Sequence, residues 1–192
     1  MKKQNITVAI TGASGAGYAR TLLRAIPRRS YDVYLVSSAA GRLVYESETG
    51  LALSADIPPD VRIYDESDFT APIASGSFPC AGMVIVPCTM GTLGAIASGL
   101  SQNLIHRAAD VCLKERRPLI LVPRETPLNR VHLANMLKAA EAGAIILPAM
   151  PGFYHKPKDI QGVFDFVVAR ILDQLGVEHD LVGPWKGLEG SN

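Results

Sequence analysis

Three short stretches of this chain combine small, hydroxyl and charged residues in patterns that could hold an anion. The first is Thr11-Gly-Ala-Ser-Gly-Ala-Gly17. It follows the β-rich apolar run Ile6–Thr11 and precedes Tyr18–Ile26, where Leu22, Leu23 and Ile26 fall at helical spacing. A strand, a small-residue turn and a helix start form an anion site, because free backbone N–H groups and the helix dipole both favour negative charge. The glycines at 12, 15 and 17 do not fit GxGxxG, and the second strand ends in Ser37-Ser38 with no acidic ribose ligand. A mononucleotide therefore fits better than a dinucleotide. A merely tight βα turn would produce the same run.

The second stretch is Pro87-Cys-Thr-Met-Gly-Thr92, where hydroxyls and a glycine follow an apolar strand and open a helix. It offers a second polar pocket at the same sheet edge, although N-capping by Thr89 or Thr92 accounts for it equally well. The third is Pro123-Arg-Glu-Thr-Pro127. A guanidinium at a strand end can grip a phosphate or a carbonyl, and Glu125 can carry a proton. A surface ion pair is the plain alternative. Further candidates are the aromatic and basic loop Gly152–Pro157, Arg170 within Ile160–Leu175, Glu48, and Arg107 with Lys114. The last two lie seven residues apart on one predicted helix and share nearly one face. Each of these is also explained as a solvated charge.

The elements that must position these residues alternate along the chain. Strands are predicted at Ile6–Thr11, Tyr31–Val36, Val61–Tyr64, Gly82–Pro87, Pro118–Pro123 and Ala144–Leu147. Helices are predicted at Tyr18–Ile26, Leu43–Thr49, Thr92–Ser98, Leu104–Arg116, Leu128–Ala142 and Ile160–Leu175, with Asp65–Pro79 a loop. Several strands are apolar on both faces, as a parallel sheet under two helical layers requires. The expected fold is a three-layer α/β, doubly wound parallel sheet, Rossmann-like or flavodoxin-like, with ligands at the carboxyl ends of the strands. One domain over residues 1–182 and a Gly-rich tail over 183–192 are expected.

Composition narrows the options. Of 192 residues, 48% are hydrophobic and only 19% charged, so part of the apolar surface is expected to be covered by other subunits. A net charge of +1 gives no reason to expect a nucleic-acid or membrane partner. No apolar run reaches the ~18 residues needed to span a bilayer, and Met1–Asn5 leads into a strand and not into a signal peptide. Cys80, Cys88 and Cys112 read as reduced thiols of a cytoplasmic protein. The four histidines lack ligand spacing, so no metal is expected; with no GxSxG elbow and no histidine partner for Cys88, nucleophilic hydrolysis is not expected either.

Taken in order, these segments resemble the UbiX/Pad family of flavin prenyltransferases, from Ile6 to about Trp185. The resemblance is carried by Thr11-Gly-Ala-Ser-Gly15, Ser38, Glu48-Thr49, Ala71-Pro-Ile-Ala-Ser-Gly-Ser77, Pro87–Thr92, Asn103–Asp110, Leu113–Pro118, Val122–Pro127 and Gly152-Phe-Tyr-His155. It implies a cytoplasmic homododecamer that alkylates reduced FMN at N5 and C6 with dimethylallyl phosphate. No metal is used, and the prenylated FMN produced serves a UbiD-type decarboxylase. By motif, Gly12, Ala13, Ser14, Ser38, Thr89, Met90, Gly91, Thr92 and Arg124 match FMN-contacting positions. Tyr154 and Arg170 match positions that bind dimethylallyl phosphate, and Arg107, Lys114 and Glu125 match groups around its phosphate. Glu48 matches a carboxylate near flavin N5, and Ser14 is also placed in the reaction. Phe69 stands where the family often has Trp, and Trp185 matches its C-terminal tryptophan. A peptidyl-cysteine-type flavoprotein decarboxylase and a non-catalytic flavin carrier are the competing readings. The first is disfavoured because Pro-Cys-Thr-Met-Gly-Thr and Arg124–Pro127 stand where its Pro-Ala-Ser-Ala-Asn-Thr and Met-Asn segments are expected.

Overall fold

In the computed structural model, which describes residues 3–185 and 187, six strands form one parallel sheet in the order β3-β2-β1-β4-β5-β6. The strands are β1 (Gln4–Ile10), β2 (Tyr31–Ser37), β3 (Arg62–Asp65), β4 (Gly82–Cys88), β5 (Leu119–Pro123) and β6 (Ile145–Ile146). The helices are α1 (Ala16–Ala25), α2 (Ala39–Thr49), α3 (Leu53–Asp56), α4 (Met90–Ala97), α5 (Leu104–Lys114), α6 (Arg130–Glu141) and α7 (Ile160–Leu175). This strand order reverses between β1 and β4, which creates the crevice where doubly wound sheets bind ligands.

Alternation along the strands splits the core in two. Ile6, Val8 and Ile10 point to one face and pack with Leu22, Leu23, Val168 and Leu172 of α1 and α7. Ala9, Met83, Ile85 and Leu121 point to the other and pack with Leu93, Leu104, Ala108 and Cys112 of α4 and α5. The β4 side chains are all buried, which explains why that segment reads as a continuous apolar run.

Helix starts follow their caps. Ser38 accepts from the Gly41 amide and starts α2 four residues before the expected Leu43. Asn129 caps α6 through His132, so that helix begins at Arg130 and not at Leu128. The expected loop Asp65–Pro79 contains a single 3₁₀ turn, Pro72–Ala74, and the short α3 was not foreseen. The last strand shrinks to Ile145–Ile146. Of the expected tail, Gly183, Pro184, Trp185 and Gly187 lie in neither helix nor strand; residues 186 and 188–192 lie outside the described ones.

Candidate functional site

At the crevice, one hydroxyl joins the ends of β1 and β4. The buried Thr11 hydroxyl donates to the Pro87 carbonyl (2.8 Å) and accepts from the Thr89 amide (2.8 Å). The Gly12–Gly15 turn rises from this joint. A Cβ on Gly12 would stand 2.6 Å from that of Ala40, so the turn lies against the start of α2. Gly15 takes φ 119° to enter α1, a conformation that side chains disfavour. Arg124, at the end of β5, reaches past β4 and donates from Nε to the Ser14 carbonyl (3.1 Å). Segments 78 and 110 residues further along the chain thus meet this turn. Together the Gly12–Gly15 turn, the start of α4 and Arg124 make one shelf.

The anion site at the start of α1 holds a carboxylate of the chain itself. Glu48, in the last turn of α2, accepts from the amides of Gly15 (2.9 Å) and Ala16 (2.7 Å). Burial pushes its carboxyl up, but hydrogen bonds from Ser14, Ala16 and Gly15, with the Arg124 charge, outweigh that and hold it below the ordinary carboxylate range. The position of Glu48 depends on a network that no sequence pattern announced. Asp56, its side chain only 3% exposed, ion-pairs with Arg20 Nε (2.8 Å) and Arg24 (2.8 Å). It also accepts from the hydroxyl of fully buried Tyr45 (2.7 Å), one turn before Glu48. Burial, reinforced by the Asp56 hydrogen bond, raises the Tyr45 phenol well above its ordinary value.

The second stretch behaves first as a cap. Thr89 Oγ1 accepts from the Thr92 amide (3.1 Å) and donates its hydroxyl to Thr92 Oγ1 (3.0 Å). Met90 packs into the core beneath the start of α4. Gly91 leaves space: a Cβ there would meet nothing nearer than Thr89 Oγ1 at 4.0 Å. Ser38 is occupied as the α2 cap. Glu66, which the sequence reading overlooked, ties two helix starts together by accepting from the Ala39 amide (2.6 Å) and Asn103 Nδ2 (3.1 Å). Glu125 is exposed beside Arg124, and its carboxylate accepts from the Thr126 amide (3.0 Å).

The three cations foreseen around a phosphate do not converge within one chain. Arg107 and Lys114 sit on α5, and Arg170 sits on α7, in the helical layer across the sheet. Arg107 donates from Nε to the Ala74 carbonyl (3.0 Å) and pairs with Asp110 (3.0 Å), while Lys114 pairs with Glu115. Arg117, also overlooked, holds the same loop through the carbonyls of Phe78 (2.7 Å) and Gly76 (2.7 Å). Arg170 pairs with Asp173 (2.9 Å), and its Nε is buried with no partner among the described residues. It lies over the Phe166 ring, which meets Tyr154 edge-on; Tyr154 in turn meets Trp185 at 5.0 Å. Arg170, Tyr154 and Trp185 therefore do form one cluster, organised by Phe166. Phe69 is exposed in the loop after β3, and no ring among the described residues stacks on it.

A parallel sheet with an anion turn at its switch point is an α/β nucleotide-binding arrangement, and the family model described as Flavoprotein, matching residues 1–172, makes this chain a flavoprotein. The chain belongs, more narrowly, to the UbiX flavin prenyltransferase family. It is 50% identical over 190 residues to the flavin prenyltransferase UbiX of Alkalihalophilus pseudofirmus, covering 94% of this chain and 95% of that protein. The crystal structure of AnUbiX in complex with FMN and dimethylallyl pyrophosphate superposes with a TM-score of 0.92 at 41% identity, over 98% of this chain and all of that one. A dodecameric FMN-dependent UbiX-like decarboxylase from Escherichia coli O157:H7 gives a TM-score of 0.90 at 39% identity, covering 96% of this chain and 100% of that one.

Proposed function

We propose that this protein joins the dimethylallyl group of dimethylallyl phosphate to N5 and C6 of reduced FMN, without a metal, and hands the prenylated FMN to a UbiD-type decarboxylase. The carrying observation is the match of the whole fold to a relative that holds FMN and dimethylallyl pyrophosphate. The shelf suits a flavin: Gly91 leaves open space over the first turn of α4, and the Arg124 guanidinium borders it from β5. In this reading Gly12, Ala13, Ser14, Ser38, Thr89 to Thr92 and Arg124 hold FMN. Reduced FMN supplies the nucleophilic nitrogen and carbon. Glu48, ionised at neutral pH, receives the N5 proton, and the Ser14 hydroxyl that it holds orients it.

Breaking the allylic C–O bond leaves negative charge on phosphate and positive charge on the allyl group. Arg170, whose buried Nε has no partner among the described residues, takes the phosphate together with Tyr154, and the faces of Tyr154 and Trp185 border the allyl group. Phe69 lines the prenyl pocket with a weaker cation–π face than an indole. Glu125 gives the departing phosphate a proton. Arg107 and Lys114 reach that phosphate from other subunits, so the working site lies at subunit contacts of a dodecamer. Val131, Leu133 and Leu137 of α6, each more than half exposed, supply apolar surface for such contacts. Residues 1–182 act as one cytoplasmic domain; no described helix is long and apolar enough to cross a membrane.

The test is to incubate purified protein with reduced FMN and dimethylallyl phosphate without magnesium and to read the flavin mass. Addition of one dimethylallyl group is expected. Unchanged FMN, with the decarboxylase still activated, would sink the reading. Glu125→Gln is expected to keep FMN and lose turnover.

A further inference from the structure

Beyond α7 the chain turns back along the helix. Gly176 caps α7 at φ 66°, a left-handed conformation that glycine adopts without strain. The Gly176 amide donates to the Asp173 carbonyl (3.1 Å), and the Val177 amide donates to the Leu172 carbonyl (2.9 Å). Val177 is 3% exposed and joins the core with Val168 and Leu172. This closed reversal brings His179 beside the last turns of the helix. Its side chain is only 8% exposed, and its Nε2–H donates to Asp173 Oδ1 (3.1 Å). Asp173 Oδ2 accepts from Arg170 Nη2 (2.9 Å), one turn earlier on α7. One carboxylate thus links an imidazole to a guanidinium. The three side chains share the wall of a cavity of about 470 Å³ with Val182 and Trp185.

We propose that His179 is a positioning residue: by fixing Asp173 it fixes the Arg170 guanidinium for the phosphate of the prenyl donor. The inference rests on the reading that Arg170 takes that phosphate, and adds a residue that touches no substrate. The need for a third group follows from exposure. The side chains of Arg170 and Asp173 are 43% and 42% exposed. An ion pair that open to water, three residues apart on one helix, is weak and holds neither side chain in one rotamer. His179 is enclosed, so its hydrogen bond confines the carboxylate, and the carboxylate confines the guanidinium. Phe166 supports the same guanidinium from below, with 6.0 Å to the ring centre. The ordering of Arg170 is then complete before the donor arrives, which removes a cost from binding. The imidazole also matters for charge. Asp173 alone would repel an anion at Arg170, and the N–H aimed at Oδ1 offsets part of that repulsion.

The experiment titrates dimethylallyl phosphate by calorimetry into the purified, FMN-loaded oligomer, with the flavin oxidised so that no transfer follows. His179→Phe fills the space of the ring without a donor, and His179→Gln keeps a donor without the ring. His179→Phe is expected to raise Kd about tenfold, the size of one hydrogen bond to a charged group, and His179→Gln to stay within about twofold of the parent. Where phenylalanine prevents assembly, His179→Leu makes the same comparison. In turnover with reduced FMN the variants should move KM by those factors and leave kcat and FMN content in place, because a contact made equally in ground and transition states acts on KM. A packing role gives the reverse order, His179→Phe near the parent and His179→Gln impaired, and that order would overturn the proposal. So would a loss of kcat or of FMN with KM unmoved. His179→Phe binding like the parent while Arg170→Ala binds weakly would sink this inference alone and leave Arg170 with the phosphate. Arg170→Ala binding the donor as well as the parent would remove Arg170 from that role and His179 with it.

Discussion

Replacing Glu48 by alanine tests the structural reading of the anion turn. The substitution removes the carboxylate that accepts from the Gly15 and Ala16 amides and leaves α1 with no side-chain cap, because Gly15 supplies none. Loss of an N-cap costs about 0.5–2 kcal/mol, and the charge at the dipole about 0.3–1 kcal/mol, partly the same interaction. The carboxylate is exposed, so solvent screens it, and a total of about 1–2 kcal/mol follows. For a chain of 150–250 residues this lowers Tm by about 2–8 °C. Glu48→Gln keeps one acceptor oxygen and should fall between the two. The pH dependence has a fixed sign. The folded carboxyl lies below its unfolded value, so its stabilisation is complete above the ordinary glutamate range and fades as pH falls through the lowered folded value. Differential scanning calorimetry of ligand-free protein should therefore show a gap between the parent and the Glu48→Ala variant that is full at neutral pH and closes in acid. Equal melting at neutral pH, or a gap indifferent to pH, refutes the reasoning.

Thr11→Val keeps shape but strands the Thr89 amide and leaves the Pro87 carbonyl with only the Thr11 backbone N–H. A loss of about 1–3 kcal/mol in chemical denaturation is expected, with Thr11→Ser restoring most of it. Asp56→Asn removes the charge that two half-exposed arginines share and should cost about 1.5–3 kcal/mol; denaturation midpoints no different from the parent would show the network to be idle. Arg124→Ala should purify without bound flavin, and a fully yellow preparation would count against its place on the shelf.

How far the sequence announced this molecule depends on the range of the interaction. Patterns with a local cause were readable: the apolar β4 run, the Gly12–Gly15 turn and the long α7 all appear where expected. Helix starts were missed where one capping side chain decided them, as Ser38 and Asn129 did. Partnerships across the fold left no local trace. Nothing near Glu48 marks it as the acceptor for amides 33 and 32 residues away, and nothing near Asp56 marks it as the anchor of Tyr45 and two arginines. Arg107 and Lys114 were correctly placed on one helix, but which layer that helix joins follows from the order of the strands, and the topology puts it opposite Arg170.

That separation has a consequence for what the smallest working unit is. Under the proposed assembly, a folded monomer carries every group of the site and completes none, so folding and competence are different events. Dilution should then silence the protein with its melting behaviour intact. Two inactive variants, one altered at Arg170 and one at Lys114, should regain partial activity when co-assembled, because some contacts then contain both intact halves. Surface substitutions on α6 would read as catalytic lesions, although they touch no reacting atom.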